Sequence, residues 1–434
     1  MNLRNLSRYK LSMIGASLFS IGLIMVMLVS GTSPVEAAGK KPPTRTPTPT
    51  IVPTATATPV PNPPPNLPGT WKVVDSPNPS GDFPILRSVA VASADDVWAV
   101  GDGLIEHWNG NRWRLVSAAP GGNPPEFKSV TALASDDVWA VGLRWEGSPS
   151  YPRTLIEHWD GSAWTVVTSP NGSTTGSQLL GVDAVSANDI WAVGSSSTLG
   201  PPYENTLIEH WDGASWSIIP SPNPSGGNFN KLTGVAVVAA NDIWAVGSYS
   251  GSTGHSQTLI EHWDGSTWSI VPSPNVGPYG NYLSSVSAHS ANDVWAVGAT
   301  NNSTQSLILH WDGISWSVVP SPNIADWMNQ LQSVTTVAAD DVWAVGVAYF
   351  TWYISDGDEI TSSQTIIQHW NGTAWSIVPS PNPGDGNNYY GTITNALYGV
   401  AAVSASDVWA VGMYGKSDGL NVINQSLIER YTVP

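Results

Sequence analysis

The sequence predicts an all-β fold: a seven-bladed β-propeller of four-stranded blades, with the last blade closed by the N-terminal strand. Three observations predict it. The phrase DVWAVG or DIWAVG occurs seven times, with its Trp at 98, 139, 191, 244, 295, 343 and 409. The spacings of 41, 52, 53, 51, 48 and 66 residues are those of propeller-blade repeats. The last copy also lacks a strand that an unmatched segment at Trp71 supplies.

Taken in order, residues 1–37 hold Arg4, Arg8 and Lys10, an apolar run from Leu11 to Ser30, and the small-residue stretch SPVEAAG. This reads as a signal peptide cleaved after Ala37, or as an uncleaved membrane anchor, because about twenty apolar residues suffice to span a bilayer. Residues 38–68 are a Pro/Thr-rich tract that stays extended and buries no core. Either reading places residues 69–434 outside the membrane, secreted or tethered to its outer face.

Within each repeat four short strands are expected. Strand a has the pattern LxxV, as at Leu283 to Val286, and strand b is VWAVG. Strand c is TLIEHW or a close variant, followed by Asp-Gly or Asn-Gly, read as a two-residue hairpin turn with positive φ at both positions. Strand d is WSIVP, stopped by SPNP, whose prolines withdraw donors. After Tyr431 only Thr-Val-Pro remains, so the seventh repeat has no strand d, whereas Trp71-Lys72-Val73-Val74 is a strand d with no preceding c. Pairing the two ends removes the exposed edges.

The repeated side chains read as structural. Twenty of the 23 Trp fall in the repeats and are expected to stack between blades. His107, His158, His210, His262, His310 and His369 recur once per blade, which spreads them around a ring and suits a hydrogen bond within or between blades better than a shared metal. The turn acids, such as Asp96, Asp137 and Asp189, are expected to cap local backbone N–H groups.

Composition narrows the function. Residues 1–68 hold six of the sixteen Lys and Arg and one of the 33 acids, so residues 69–434 carry ten bases against 32 acids, a net of −22. Such a domain repels nucleic-acid phosphates and anionic lipid, leaving no membrane contact beyond the N-terminal anchor. With no cysteine there is no disulfide, thiol nucleophile or Cys-ligated zinc. The chain has no GxSxG, HExxH, GxGxxG or P-loop signature, and no cofactor is implied.

Variation is confined to one face. The a–b and c–d turns scarcely change, but the b–c connections, counted from the Gly of WAVG to the residue opening LIEHW, take 3, 13, 13, 12, 9, 20 and 15 residues. The three Trp outside the repeats, Trp145, Trp327 and Trp352, map to this face together with Tyr349, Tyr353, Tyr389 and Tyr390. These seven are the candidate ligand-binding residues: exposed aromatics beside carboxylates and amides stack on and hydrogen-bond a sugar or peptide. The competing reading is a loop that packs its own aromatics. Asp356, Asp358 and Glu359 are candidate calcium ligands, although their spacing is not that of an EF-hand.

The repeat resembles secreted bacterial propellers built from SPNP…DVWAVG…LIEHWDG..W units, near the kelch and galactose-oxidase-like superfamily, and the DG..W hairpin resembles that of Asp-box propellers. The resemblance covers residues 71–434 and implies the fold. It does not imply galactose-oxidase chemistry, since the Tyr–Cys cross-link has no Cys here, nor an Asp box, because Asp and Gly are adjacent in HWDGSTW. Nor is a sialidase arginine triad evident among Arg87, Arg112, Arg114, Arg144, Arg153 and Arg430. The expectation is a monomeric extracellular propeller that binds a carbohydrate or protein without catalysis. The alternatives are a secreted polysaccharide hydrolase or lyase using Asp356, Asp358 or Glu359, and a structural surface protein.

Overall fold

The computed structural model describes residues 67–78, 84–200, 202–224, 228–250, 254–300, 303–325, 327–353, 359–384, 394–417 and 422–434, without the side chains of 352, 353, 359 and 360. Among them the chain forms 28 strands in seven four-stranded antiparallel sheets, and no helix. Blade one has strand a at Leu86–Ser93, b at Asp96–Gly101, c at Leu104–Trp108 and d at Trp113–Leu115. Blades two to six repeat that order. Blade seven takes a, b and c from Asn395–Ser404, Asp407–Ser417 and Val422–Thr432, and d from Thr70–Val73, with Trp71 opposite Tyr431. The N-terminal strand thus closes the ring, as the sequence predicts.

The core is a ring of aromatic junctions. The strand-b Trp of each blade packs against the strand-c and strand-d rings of the next: Trp98 lies 5.0 Å from Trp159 and 5.4 Å from Trp164. Trp409 of blade seven meets Trp108 and Trp113 of blade one, which completes the circle. At the sixth junction Tyr431 replaces a Trp, and Trp343 lies 4.8 Å from it and 5.6 Å from Trp71.

On the face of constant turns, each strand-c His stacks on the strand-b Trp of its own blade and bonds the Asp that opens strand b. His107 lies 4.1 Å from Trp98, and its Nε2 is 2.8 Å from Asp96 Oδ1. The pairing recurs at His158–Asp137, His210–Asp189, His262–Asp242, His310–Asp293 and His369–Asp341, and blade seven substitutes a bidentate Arg430–Asp407 pair. This corrects the expectation that Asp96, Asp137 and Asp189 cap local backbone: a carboxylate two residues before the Trp lies directly across the sheet from the His.

The Asp-Gly hairpins also differ from expectation. Trp159 pairs with Trp164, so the loop holds four residues, not two. Asp160 Oδ1 accepts from the N–H groups of Ser162 (2.9 Å) and Ala163 (3.0 Å), and only Gly161 needs positive φ, +89°. The aspartate closes the turn with its side chain, so its own backbone stays at negative φ.

SPN does more than stop a strand. Asn171 Oδ1 accepts from Thr154 N (3.1 Å), continuing the pairing of strands c and d past the proline, and Asn78, Asn223, Asn275, Asn323 and Asn382 do the same in their blades. The Ser of the motif crosses to the next blade. Ser76 Oγ, after strand d of blade seven, donates to Glu106 of blade one at 2.9 Å, and Ser169 Oγ reaches Glu209 Oε2 at 2.7 Å. Where blade one has Ala119 in place of the proline, the freed N–H donates to Glu157 (2.9 Å). Glu106, Glu157, Glu209, Glu261 and Glu429 are all fully buried. Burial pushes Glu106 up to about 7 and Glu209, Glu261 and Glu429 up to about 8. The same position holds Gln368 in blade six and Leu309 in blade five, also fully buried.

Candidate functional site

Adjacent a strands contact one another around the ring and line its axis. Each strand a opens with a core Leu or Phe, such as Leu86 or Phe127, fixed by fully buried packing. Two residues later comes Ser or Gly at a bulge that faces the next blade; Ser129 Oγ accepts from Val182 N at 3.2 Å. The residue between is different in every blade: Arg87, Lys128, Leu180, Thr233, Ser284, Gln332 and Tyr398. All are partly buried. The chain therefore repeats its scaffold and varies the side chains it presents at the top of the axis, on the face that also carries the variable b–c connections.

The geometry there is well organised. Blade one has the shortest b–c connection, which leaves Asp102 at the rim, bridged to Glu126 of blade two. Arg87 Nη2 donates to Asp102 Oδ2 at 2.7 Å and Nε at 3.2 Å. Lys128 Nζ donates to Asp102 Oδ1 at 2.9 Å and to Glu126 Oε2 at 3.0 Å. Burial alone would raise Asp102, but Arg87 and Lys128 outweigh it and hold the carboxyl below its ordinary value. The Arg87 guanidinium sits 4.8 Å over the Tyr398 ring. Blades five to seven contribute Tyr282, Tyr349 and Tyr398, and burial raises all three hydroxyls, Tyr282 to about 12. Tyr349 feels Tyr398, Tyr282 and Arg87, so four blades converge on one mouth.

Lys231, at the start of strand a in blade four, completes the set. No hydrogen-bond acceptor or carboxylate oxygen reaches its ammonium among the described residues. Burial lowers its pKa, Glu204 offsets this in part, and Lys128 of blade two adds to the lowering from across the mouth. Glu204 itself accepts from Ser195 Oγ at 2.5 Å.

The residues expected from sequence distribute as follows. Trp145 is 42% exposed, and its Nε1 donates to Glu126 at 2.9 Å, which links it to the Lys128–Asp102–Arg87 chain. Trp327, before strand a of blade six, lies 5.6 Å from Phe350. No contact joins Trp145 to Trp327 among the described residues, and they belong to separate stretches of the rim. Tyr349 lies at the channel mouth, packed with Tyr398 against Val347, Ala396 and Met413. The side chains of Trp352, Tyr353 and Glu359, and the whole of Tyr389, Tyr390, Asp356 and Asp358, lie outside the described residues. Exposed rim pairs not foreseen are Tyr203–Phe229 (5.8 Å) and His255–Tyr279 (6.0 Å). Among the described residues no three His, Asp or Glu are grouped as a metal site.

Arg87, Lys128, Lys231, Tyr282 and Tyr398 were missed by sequence reasoning, although a signal was present. For Arg87, Lys128 and Tyr398, aligning the seven copies shows one strand-a position that never repeats, flanked by positions that hardly change, whereas Lys231 and Tyr282 lie just before the core Leu and outside that position.

No family model matches the chain, and no curated protein matches it. Solved structures do. A structure of YCF48 bound to D1 peptide aligns with a TM-score of 0.51 at 12% identity, covering 84% of this chain and 97% of that one. The GH74 xyloglucanase from Xanthomonas campestris aligns with a TM-score of 0.50 at 13% identity, covering 81% of this chain and 54% of that one. At such identities the likeness concerns the fold. The fold is a β-propeller. It is shared by a peptide-bound protein and a glycoside hydrolase, so it does not by itself choose between binding and catalysis.

Proposed function

We propose that the chain is an extracellular, non-catalytic recognition propeller that seats a protein ligand on its variable face, over the mouth of the central channel. One observation carries this reading: within a repeat that conserves its scaffold, the side chains at the channel mouth are unlike in all seven blades. Seven unlike residues on a rigid ring form an asymmetric surface, as a specific ligand requires. The basic and apolar pattern of residues 1–37, as a signal peptide or a membrane anchor, supports a place outside the membrane. The structure of YCF48 bound to D1 peptide is of a protein with a similar fold that holds a peptide. The hydrolase reading gains no support from the mouth, where Asp102 is kept ionised by Arg87 and Lys128 and is thus unsuited to donate a proton near neutrality. A carbohydrate ligand is favoured by one feature, the half-exposed Trp145 held edge-on by Glu126.

The test is a binding screen of the purified full chain against cell-envelope protein fractions, immobilised peptides and polysaccharides, with and without calcium. Tyr398→Ala is expected to weaken a protein hit about tenfold or more, in line with loss of one aromatic anchor of about 1–3 kcal/mol. Trp145→Ala is expected to have the larger effect on a polysaccharide hit. Binding that survives both substitutions in a folded protein refutes the site.

A further inference from the structure

On the face of constant turns, a cleft of about 500 Å³ opens between blades two and three. Its lining includes Asp136, Asp137, Trp139 and His158 of blade two, and Trp211 and Gly213 of blade three. His158 stacks 4.2 Å from Trp139 and bonds Asp137 Oδ1, which also accepts from Trp139 Nε1 at 2.7 Å. Asp137 Oδ2 and the exposed carboxylate of Asp136 accept no hydrogen bond among the described residues. The four turns around the cleft carry Asp136, Asp137, Asp160, Asp189 and Asp212 and neither Lys nor Arg. A partly exposed indole beside open carboxylate oxygens, with no base at hand, favours a cation.

Blade seven shows which cation the junction fits. Its contact with blade one repeats that of blades two and three position by position: Asp407 for Asp137, Trp409 for Trp139 and Trp108 for Trp211, with Arg430 in place of His158. The Arg430 guanidinium bonds both oxygens of Asp407 at 2.7 Å, and lies 4.5 Å over Trp409 and 5.7 Å over Trp108. The shorter His158 reaches one oxygen of Asp137 and leaves the other, with the Trp211 side of the cleft, open. A planar guanidinium can pair with a carboxylate through two donors while its face covers an aromatic ring, a match that a compact ammonium lacks.

We infer that the cleft between blades two and three is a docking site for an arginine side chain of a partner polypeptide, which bonds Asp137 Oδ2 and Asp136 and lies over Trp211. This goes beyond the recognition role proposed above, because it uses the opposite face of the ring. With a net of −22 the domain draws basic partners towards it, and the cleft supplies the contact that selects among them.

The probe is a capped Gly/Ser peptide with one central Arg, tethered to beads beside the same peptide carrying Lys or the neutral isostere citrulline, and offered to the full chain. Retention is expected to be about tenfold greater on Arg than on either counterpart, the scale of a charge-assisted pair combined with an indole contact. Asp136→Asn, an amide the chain itself carries at Asn188, Asn241 and Asn292, should weaken retention severalfold. His158→Arg, which rebuilds the Arg430 arrangement, should abolish the preference by filling the site from within. Glu146→Gln, which removes the same charge from the other face, should leave it unchanged. Equal retention on Arg and citrulline, or an Arg preference that survives His158→Arg, overturns the inference. Equal retention on Arg and Lys reduces the effect to general attraction by an acidic surface and overturns it too. Loss in Tyr398→Ala but not in Asp136→Asn moves the contact to the channel mouth and does the same. Should His158→Arg fail to fold, loss of the preference in Asp137→Asn, or competition by ethylguanidinium but not ethylammonium with the unaltered protein, decides the question. A chain that keeps the Arg preference yet binds nothing in the envelope screen retains this site and loses the variable-face role.

Discussion

Replacing Glu209, Glu261 and Glu429 together with Gln should make the fold far less sensitive to alkaline pH. Each carboxyl is fully buried between blades, with no cation beside it; Glu209 receives one bond from Ser169, and neither oxygen of Glu429 has a partner among the described residues. Burial raises each from 4.5 to about 8. The native state therefore holds three protons that the unfolded chain releases near pH 4.5. The stability they contribute is complete below about pH 4.5 and is lost as pH rises through about 8. At 1.36 kcal/mol per pH unit the full shift sets a ceiling of about 5 kcal/mol per site. With the effective interior dielectric of roughly 20 that describes real proteins, on the order of 2 kcal/mol per site is the working figure. Three sites then amount to a large share of a typical folding free energy of about 5–15 kcal/mol. Blade six already carries Gln368 at this position, where its Nε2 donates to Pro322 O at 2.9 Å, so the amide fits the site. Urea midpoints read by Trp fluorescence at pH 5 and pH 9 provide the assay. The unaltered protein should lose much of its stability at pH 9 and the triple variant little of it. Equal pH dependence in the two proteins refutes the argument that these carboxyls are protonated in the native state.

Two further outcomes follow from the ring itself. Trp71→Ala removes a buried ring that touches both Trp343 and Tyr431, and should cost about 3–5 kcal/mol in a denaturant titration. A loss below about 1 kcal/mol would mean that the N-terminal strand contributes little to closure. Gly161→Ala places a Cβ at φ +89° and 2.9 Å from the Cβ of Asp136, and should lower stability by about 1–3 kcal/mol, measured by thermal melting. The same change at Gly200, where a Cβ meets nothing within 4 Å, is the neutral control.

The fold was legible because its signals repeat. Seven copies of one strand pattern, and a terminal fragment that completes the seventh, leave little freedom in blade number or closure. What repeats most faithfully, however, was read too locally. The aspartate before strand b looked like a turn cap because its sequence neighbours are turn residues, whereas its partner, the strand-c His, lies 11 to 28 residues away. The Glu of LIEHW carries no such signal at all, since a charged residue in a strand gives no hint of burial, yet both faces of an inner blade strand are covered by neighbouring blades. The channel mouth was hidden for a related reason: Arg87, Lys128 and Tyr398 lie 41 to 311 residues apart and meet only because the ring closes. Aromatics are dense in the long loops, whereas the most ordered polar cluster grows from strands that differ by one residue.

Closure by the termini also governs how the chain reaches its native state. Gly69 N bonds the hydroxyl of Tyr431, 362 positions away, so blade seven cannot assemble before both ends of the domain are available. Bringing such distant ends together costs roughly 5 kcal/mol in chain entropy by the (3/2)RT ln n rule, incurred once for the whole ring. Without that pairing, the other six blades would be an open stack with an uncovered blade face at each end. Trimming a few residues from either side of the domain would return a folded ring to that open stack, whereas lengthening a b–c loop in mid-chain leaves the seam untouched.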